Sequence, residues 1–250
     1  MTNLEELRLE NNPGMKGPIP SGLTRLNKLE VIDLQKVGLT GKIPTLNTLS
    51  NLEVIQLQDN NLIGSIPALY NLTNLKTFDA GNNALTGKIP SQLHNLSHLE
   101  FFEIETNKLT GPFPDIRSNS KMVSLRLDSN KLNGTIPYQY YNLTNLMHFE
   151  ASNNVLTGKL PDFAKCSKLQ SLKLNDNGLS GEIPLYLFQL PRLKYIYLSN
   201  NALSGNIPNW NNTTNSRLQK IFLDTNALTG TIPKIPNIKM GLREIGEFCL

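Results

Sequence analysis

Apolar residues in this chain fall into a short pattern that returns every two dozen positions. In Leu169-Gln170-Ser171-Leu172-Lys173-Leu174 they occupy the first, fourth and sixth places, and the same spacing recurs at Leu52-Ile55-Leu57, Leu75-Phe78-Ala80 and Leu193-Ile196-Leu198. The closing L-x-L alternates apolar and polar residues with the period of a half-buried strand. A strand that recurs in the same sense must pair with its neighbours in parallel, and each coil then needs a return path on its far side.

Each predicted strand runs into N-x-L-x-G-x-I-P. The asparagine is present at Asn12, Asn60, Asn83, Asn107, Asn130, Asn154, Asn177, Asn201 and Asn226, and Val37 fills the remaining slot. Successive copies lie 23 to 25 residues apart. A side-chain amide carries two donors and an acceptor, so it can satisfy backbone groups stranded where the chain leaves the sheet. The glycine permits a tight or positive-φ bend. The proline, present in all ten copies, lacks an N–H and holds the return segment extended. One coil buries too little alone, whereas stacked coils share a continuous leucine core. Ten copies tile Leu4 to Pro233, so residues 1–233 are read as one domain and 234–250 as a C-terminal tail.

The full pattern, L-x-x-L-x-x-L-x-L-x-x-N-x-L-x-G-x-I-P, resembles the leucine-rich repeat in its plant-type subclass. The resemblance implies a right-handed, curved solenoid with a parallel β-sheet on the concave face and 3₁₀ or irregular convex segments. It also implies a non-enzymatic protein or peptide recognition domain, as in the ectodomains of receptor-like kinases and receptor-like proteins. A free-standing secreted inhibitor, similar to those of polygalacturonases, is the alternative from the same family, and a cytosolic scaffold is another. Complete members open with a cap bearing paired cysteines and a tryptophan and close with a second cysteine pair. Here the first repeat begins at once with TNLEELRLENN, and the tail KIPNIKMGLREIGEFCL resembles the start of a closing cap. The expectation is an internal piece of a longer protein.

With the scaffold positions accounted for, function is expected in the five variable positions of each x-x-L-x-L-x-x strand. Fifteen of the 20 acidic residues fall there, against seven of the 24 Lys and Arg, leaving this face near −8 and the rest of the chain near +12. The first five repeats hold eleven of those acids, Asp79, Glu103 and Glu105 among them, and the last five are balanced. Polar strand residues also serve solubility. A concave negative field, however, attracts a cationic partner. Large side chains collect on later strands at Phe101, Met147, His148, Tyr195, Tyr197 and Phe222. These are either binding anchors or cross-strand pairs that stiffen the sheet. Phe78, Phe102 and Phe149 fall in core slots. The candidate ligand-binding set is therefore Asp79, Phe101, Glu103, Glu105, His148, Glu150, Tyr195, Tyr197 and Phe222, for a protein or peptide with a basic segment.

Other chemistry finds little support. His94 and His98 lie in a return segment, His148 and Glu150 have no nucleophile beside them, and no phosphate-binding loop or metalloprotease motif occurs. No catalysis, cofactor, metal or nucleic-acid partner is expected. Cys166 and Cys249 are too few for a disulfide scaffold. No stretch approaches the roughly 20 apolar residues of a membrane span. The opening MTNLEELRLE lacks the basic and apolar regions of a signal peptide. Six N-x-S/T sequons, at Asn71, Asn95, Asn133, Asn142, Asn211 and Asn212, favour an extracellular or cell-surface location with glycan acceptors, and a cytoplasmic location is the alternative. Ice binding calls for a flat array of small residues and pectin is anionic, so the acidic, curved face argues against both as ligands.

Overall fold

The computed structural model describes residues 3–116, 118–209 and 217–233. Ten strands, from Glu6–Arg8 to Lys220–Phe222, pair in sequence order as one parallel sheet. Each strand is shifted by one whole coil from the last: Leu125 lies beside Phe102 on one side and Phe149 on the other. The solenoid expected from the repeat is therefore present, with its inner sheet on the concave side.

The repeated apolar slots form a single core. Leu52, Ile55, Leu75, Phe78, Leu99, Phe102, Leu125, Leu172, Leu193 and Ile196 are all fully buried. Phe78 and Phe102 stack at 5.6 Å between ring centroids, and Phe149 packs against Phe113, Tyr140 and Phe163. The three phenylalanines assigned to the core are thus structural.

The asparagines build a ladder through the turns. Asn154 Nδ2 donates to Leu127 O of the preceding coil at 3.0 Å and to Ala151 O and Ser152 O of its own, while its Oδ1 accepts from Leu132 N at 2.9 Å. Asn60, Asn83, Asn107, Asn130, Asn177, Asn201 and Asn226 repeat this arrangement. Val37 interrupts it, and the backbone N–H groups of Val37 and Leu39 are both taken by Asn60 Oδ1.

Two left-handed residues recur in each coil and turn the chain, and Gly38 adds a third in the second coil. The repeat glycine is one, as expected. The other precedes the asparagine slot in all ten coils, from Asn11 at φ 60° through Lys36, Asp59 and Thr106 to Thr225 at φ 53°. Six of the ten residues that adopt it are Asn or Asp, the types best suited to a left-handed conformation, so this bend was marked in the sequence although it was not predicted from it. Four 3₁₀ helices, Ser21–Arg25, Ser91–Asn95, Tyr138–Asn142 and Leu185–Gln189, each start directly after a repeat proline.

One feature was not expected. The segment around the repeat glycine forms a second ten-stranded parallel ladder, from Gly17–Pro18 to Ala227–Thr229. Coils stacked in register by the inner sheet bring every other extended stretch into register as well. The L-x-G segments are extended, so they pair in turn, and part of the far side becomes an ordered sheet.

Candidate ligand-binding face

The inner strands present two rows of side chains across the coils. In strand register, one row reads Arg8, Asp33, Gln56, Asp79, Glu103, Arg126, Glu150, Lys173, Tyr197, Phe222. The other reads Glu6, Val31, Val54, Thr77, Phe101, Ser124, His148, Ser171, Tyr195, Lys220. Alternation along each strand, with the apolar residue inward, puts both rows on the open face.

The acidic residues divide into paired and unpaired groups. Glu150 is only 7% exposed. Its carboxylate accepts from Lys173 Nζ at 3.0 Å and Ser171 Oγ at 3.1 Å, with Arg126 Nε at 4.0 Å. Glu103 accepts from Ser124 Oγ at 2.7 Å and has Arg126 Nε at 3.6 Å. These two are committed to a ladder of internal contacts, and Glu150 offers little to a ligand. Asp79 and Glu105 are different. Asp79 accepts one backbone hydrogen bond, from Gly81 N at 3.0 Å. Its carboxyl is raised to about 7 by desolvation, an effect the Gly81 bond opposes and the nearby Glu105 and Glu103 charges reinforce. Glu105 is also raised, chiefly by burial, and its Oε2 has no hydrogen-bond partner. The carboxylate fills the notch left by Gly81, where a Cβ would lie 2.8 Å from Glu105 Cδ. Asp128, not among the predicted residues, is raised to about 6 by burial, opposed by the bond from Ser152 N at 2.8 Å.

The large side chains do not form one cluster. Tyr195, Tyr197 and Phe222 do come together: the tyrosine centroids are 6.5 Å apart, and Tyr197 lies 4.8 Å from Phe222. Lys173 Nζ sits 6.0 Å from the Tyr197 centroid, a cation–π contact that the sequence reading missed. Comparing each strand residue with the one a coil later places Lys173 beside Tyr197. Phe101 and His148 stand apart, separated from each other by Ser124 and from Tyr195 by Ser171. Half-burial lowers the His148 imidazole, against the opposing pull of Glu150.

Four sequon asparagines, Asn71, Asn95, Asn133 and Asn142, are exposed. Asn211 and Asn212 lie outside the described residues. Among those residues no cluster of His, Cys, Asp and Glu could hold a metal, and no helix is long and apolar enough to cross a membrane.

This chain is a leucine-rich repeat protein of the plant type: the stacked coils, the inner parallel sheet and the asparagine ladder set by N-x-L-x-G-x-I-P define it. The family model described as Leucine Rich Repeat matches residues 74–96, 168–190 and 192–212. Among solved structures, the plant peptide hormone receptor RGFR1 in complex with RGF2 is 35% identical at a TM-score of 0.83, over 87% of this chain and 35% of that one. The ectodomain of the Arabidopsis receptor kinase HAESA, in complex with an IDA peptide hormone, is 35% identical at 0.78, over 93% of this chain and 44% of that one. A plant ice-binding protein is 29% identical at 0.80, over 92% of this chain and 75% of that one. The chain thus spans less than half the length of either receptor. No curated protein sequence matches it.

Proposed function

We propose that this chain is the recognition domain of an extracellular or cell-surface protein that binds a peptide or protein on its concave face without catalysing a reaction. The observation that carries this reading is the division of that face. Under-partnered carboxylates at Asp79 and Glu105 lie on one half, and the Tyr195–Tyr197–Phe222 cluster lies on the other. A basic segment suits the first half, and an apolar or aromatic segment suits the second. Both receptor structures were solved with peptide hormones, which supports a peptide over the inhibitor and cytosolic alternatives.

Selection from a random peptide library on the immobilised domain tests it. Enriched peptides should carry Lys or Arg toward one end and an aromatic or aliphatic anchor toward the other. Tyr197→Ala should abolish enrichment. Enrichment that survives Tyr197→Ala and Glu105→Lys together would move the site off this face.

A second reading has the ice-binding relative behind it. The outer strands expose Thr40, Thr86, Thr110, Thr157 and Thr229 at one position of the repeat, but Ile63, Asn133, Ser180 and Ser204 fill it in other coils, and the strand register sets Thr110 beside Lys88 and Lys131 and not beside another threonine. A thermal-hysteresis measurement decides: activity comparable with that of a dedicated ice binder would displace the peptide reading.

A further inference from the structure

The outer sheet carries a charge pattern opposite to that of the inner face. Its ten strands contain Lys42, Lys88, Lys108 and Lys131 and no acidic residue. Lys16 and Lys159 flank it in the first and seventh coils. All six are exposed, and among the described residues none makes an ion pair. The first acid at an equivalent position is Glu182, one coil beyond Lys159. At a strand spacing of about 4.8 Å, the file extends roughly 30 Å along the solenoid.

The glycine column organises these lysines. Lys42, Lys88 and Lys159 share one slot, and each stem runs over the repeat glycine of the next coil. Their Cγ atoms lie 3.0, 2.9 and 3.2 Å from where a Cβ would stand on Gly64, Gly111 and Gly181. The stems therefore lie along the sheet with their ammonium groups in solvent.

We propose that this outer face docks an extended acidic polysaccharide, a chain of uronic acid rings, independently of the concave site. Charge complementarity identifies a polyanion, and the rest of the surface selects among polyanions. The ten strands hold no aromatic side chain on which nucleic-acid bases could stack. All the cations are lysines, which bind as point charges and do not form the forked contacts with which arginine grips phosphate. Exposed apolar groups at Met15, Ile63 and Val155 stand in separate, non-adjacent coils and give a bilayer no continuous anchor. Thr40, Thr86, Thr110 and Thr157, exposed among the lysines, offer hydroxyls to sugar hydroxyls. The anionic character that makes pectin unsuitable for the inner face makes it suitable here. Each exposed pair contributes little, so affinity arises from several engaged together along one polymer.

The test is binding of polygalacturonate to the chain carrying Asn133→Gln, so that no glycan stands on this sheet. Binding should weaken steeply with salt, and fully methyl-esterified polymer should not bind. The triple variant K88E/K108E/K131E should lose roughly tenfold or more in affinity, with an unchanged melting temperature, whereas K121E/K168E on the return side should bind like the parent. Single Lys88→Gln and Lys42→Gln variants give smaller losses and cover the case in which the triple variant fails to fold. The proposal is overturned if the parent does not bind polygalacturonate or if K121E/K168E loses as much as the triple variant. Equal binding of the methyl ester, or tighter binding of duplex DNA or phosphatidylserine vesicles in the same buffer, overturns it too.

Discussion

Lys173 Nζ lies 3.0 Å from Glu150 Oε2, one coil away on the adjacent strand. This pair, with Ser171 and Arg126, makes Glu150 a structural acid. Glu150→Ala should therefore destabilise the fold by roughly 1–3 kcal/mol, the cost of stranding its partners. Glu105→Gln should be neutral or mildly stabilising, because that carboxylate is part-buried and crowded by Glu103. Denaturant melts compare the two, and an unchanged midpoint for Glu150→Ala would sink the assignment.

The asparagine ladder makes a graded prediction. Asn154→Leu strands Leu132 N in the buried turn and leaves Leu127 O with Asn130 Nδ2 alone, at roughly 1–3 kcal/mol for the stranded donor. Asn12 is exposed and bonds only Leu9 O and Glu10 O of its own coil, so Asn12→Leu should cost much less. Equal melting points for the two variants would remove the ladder from the account of stability.

Acid should stabilise this domain locally. Asp79 and Asp128 titrate near 7 and near 6 in the folded state, above the ordinary aspartate value of 3.8. The folded chain binds more protons than the unfolded chain between those values. The contribution of both groups is therefore fully present below about pH 4 and lost as pH rises through 6 to 7. His148 is lowered and opposes this on its own, losing stability as pH falls through 6.5. With three raised carboxyls, Glu105 included, against one imidazole, melting temperature should rise between pH 8 and pH 5. Asp79→Asn should flatten that slope, and a slope unchanged in Asp79→Asn refutes the attribution.

Rates should separate the halves of the concave face. With a peptide obtained from the library, Glu105→Lys should slow association and reduce its salt dependence, since reversing a charge on the face that meets the partner acts mainly on encounter. Tyr197→Ala should speed dissociation, by roughly thirtyfold if Tyr197 is an anchor contributing about 2 kcal/mol. Surface plasmon resonance reads both, and an effect of Tyr197→Ala confined to association would contradict the division.

Expressed in a secretory host, the chain should gain N-linked glycans at Asn71, Asn95, Asn133 and Asn142, all exposed. Mass spectrometry after deglycosylation counts them. A secreted product bare at all four would favour the cytosolic reading.

The repeat made most of the fold legible in advance. Leu172, Phe78 and Asn154 sit where their slots require, since each coil repeats the environment of the last. The second sheet and the left-handed bend at Lys36 and Thr106 were not legible. The second sheet follows from backbone stacking, whereas the bend falls on Asn or Asp in six of ten coils, types suited to it, and only positions such as Lys36 and Thr106 leave it unmarked. On the concave face, charge could be counted but pairing could not. Glu103, Glu105 and Glu150 look alike in the chain, yet Arg126 and Lys173 reach only the first and last of them within ion-pair distance. The same limit hid the separation of Phe101 from Tyr195, which depends on the serines between them.

The strictly neighbour-to-neighbour pairing of both sheets has a mechanical consequence. No strand reaches past its immediate neighbours, so a pull on the two chain ends loads the junctions in series. The domain should yield by peeling one coil at a time, each freeing about two dozen residues, roughly 80 Å of extended chain. A solenoid of this kind is a ratchet of small, equal yields, able to lengthen under load while its undisturbed coils keep their shape.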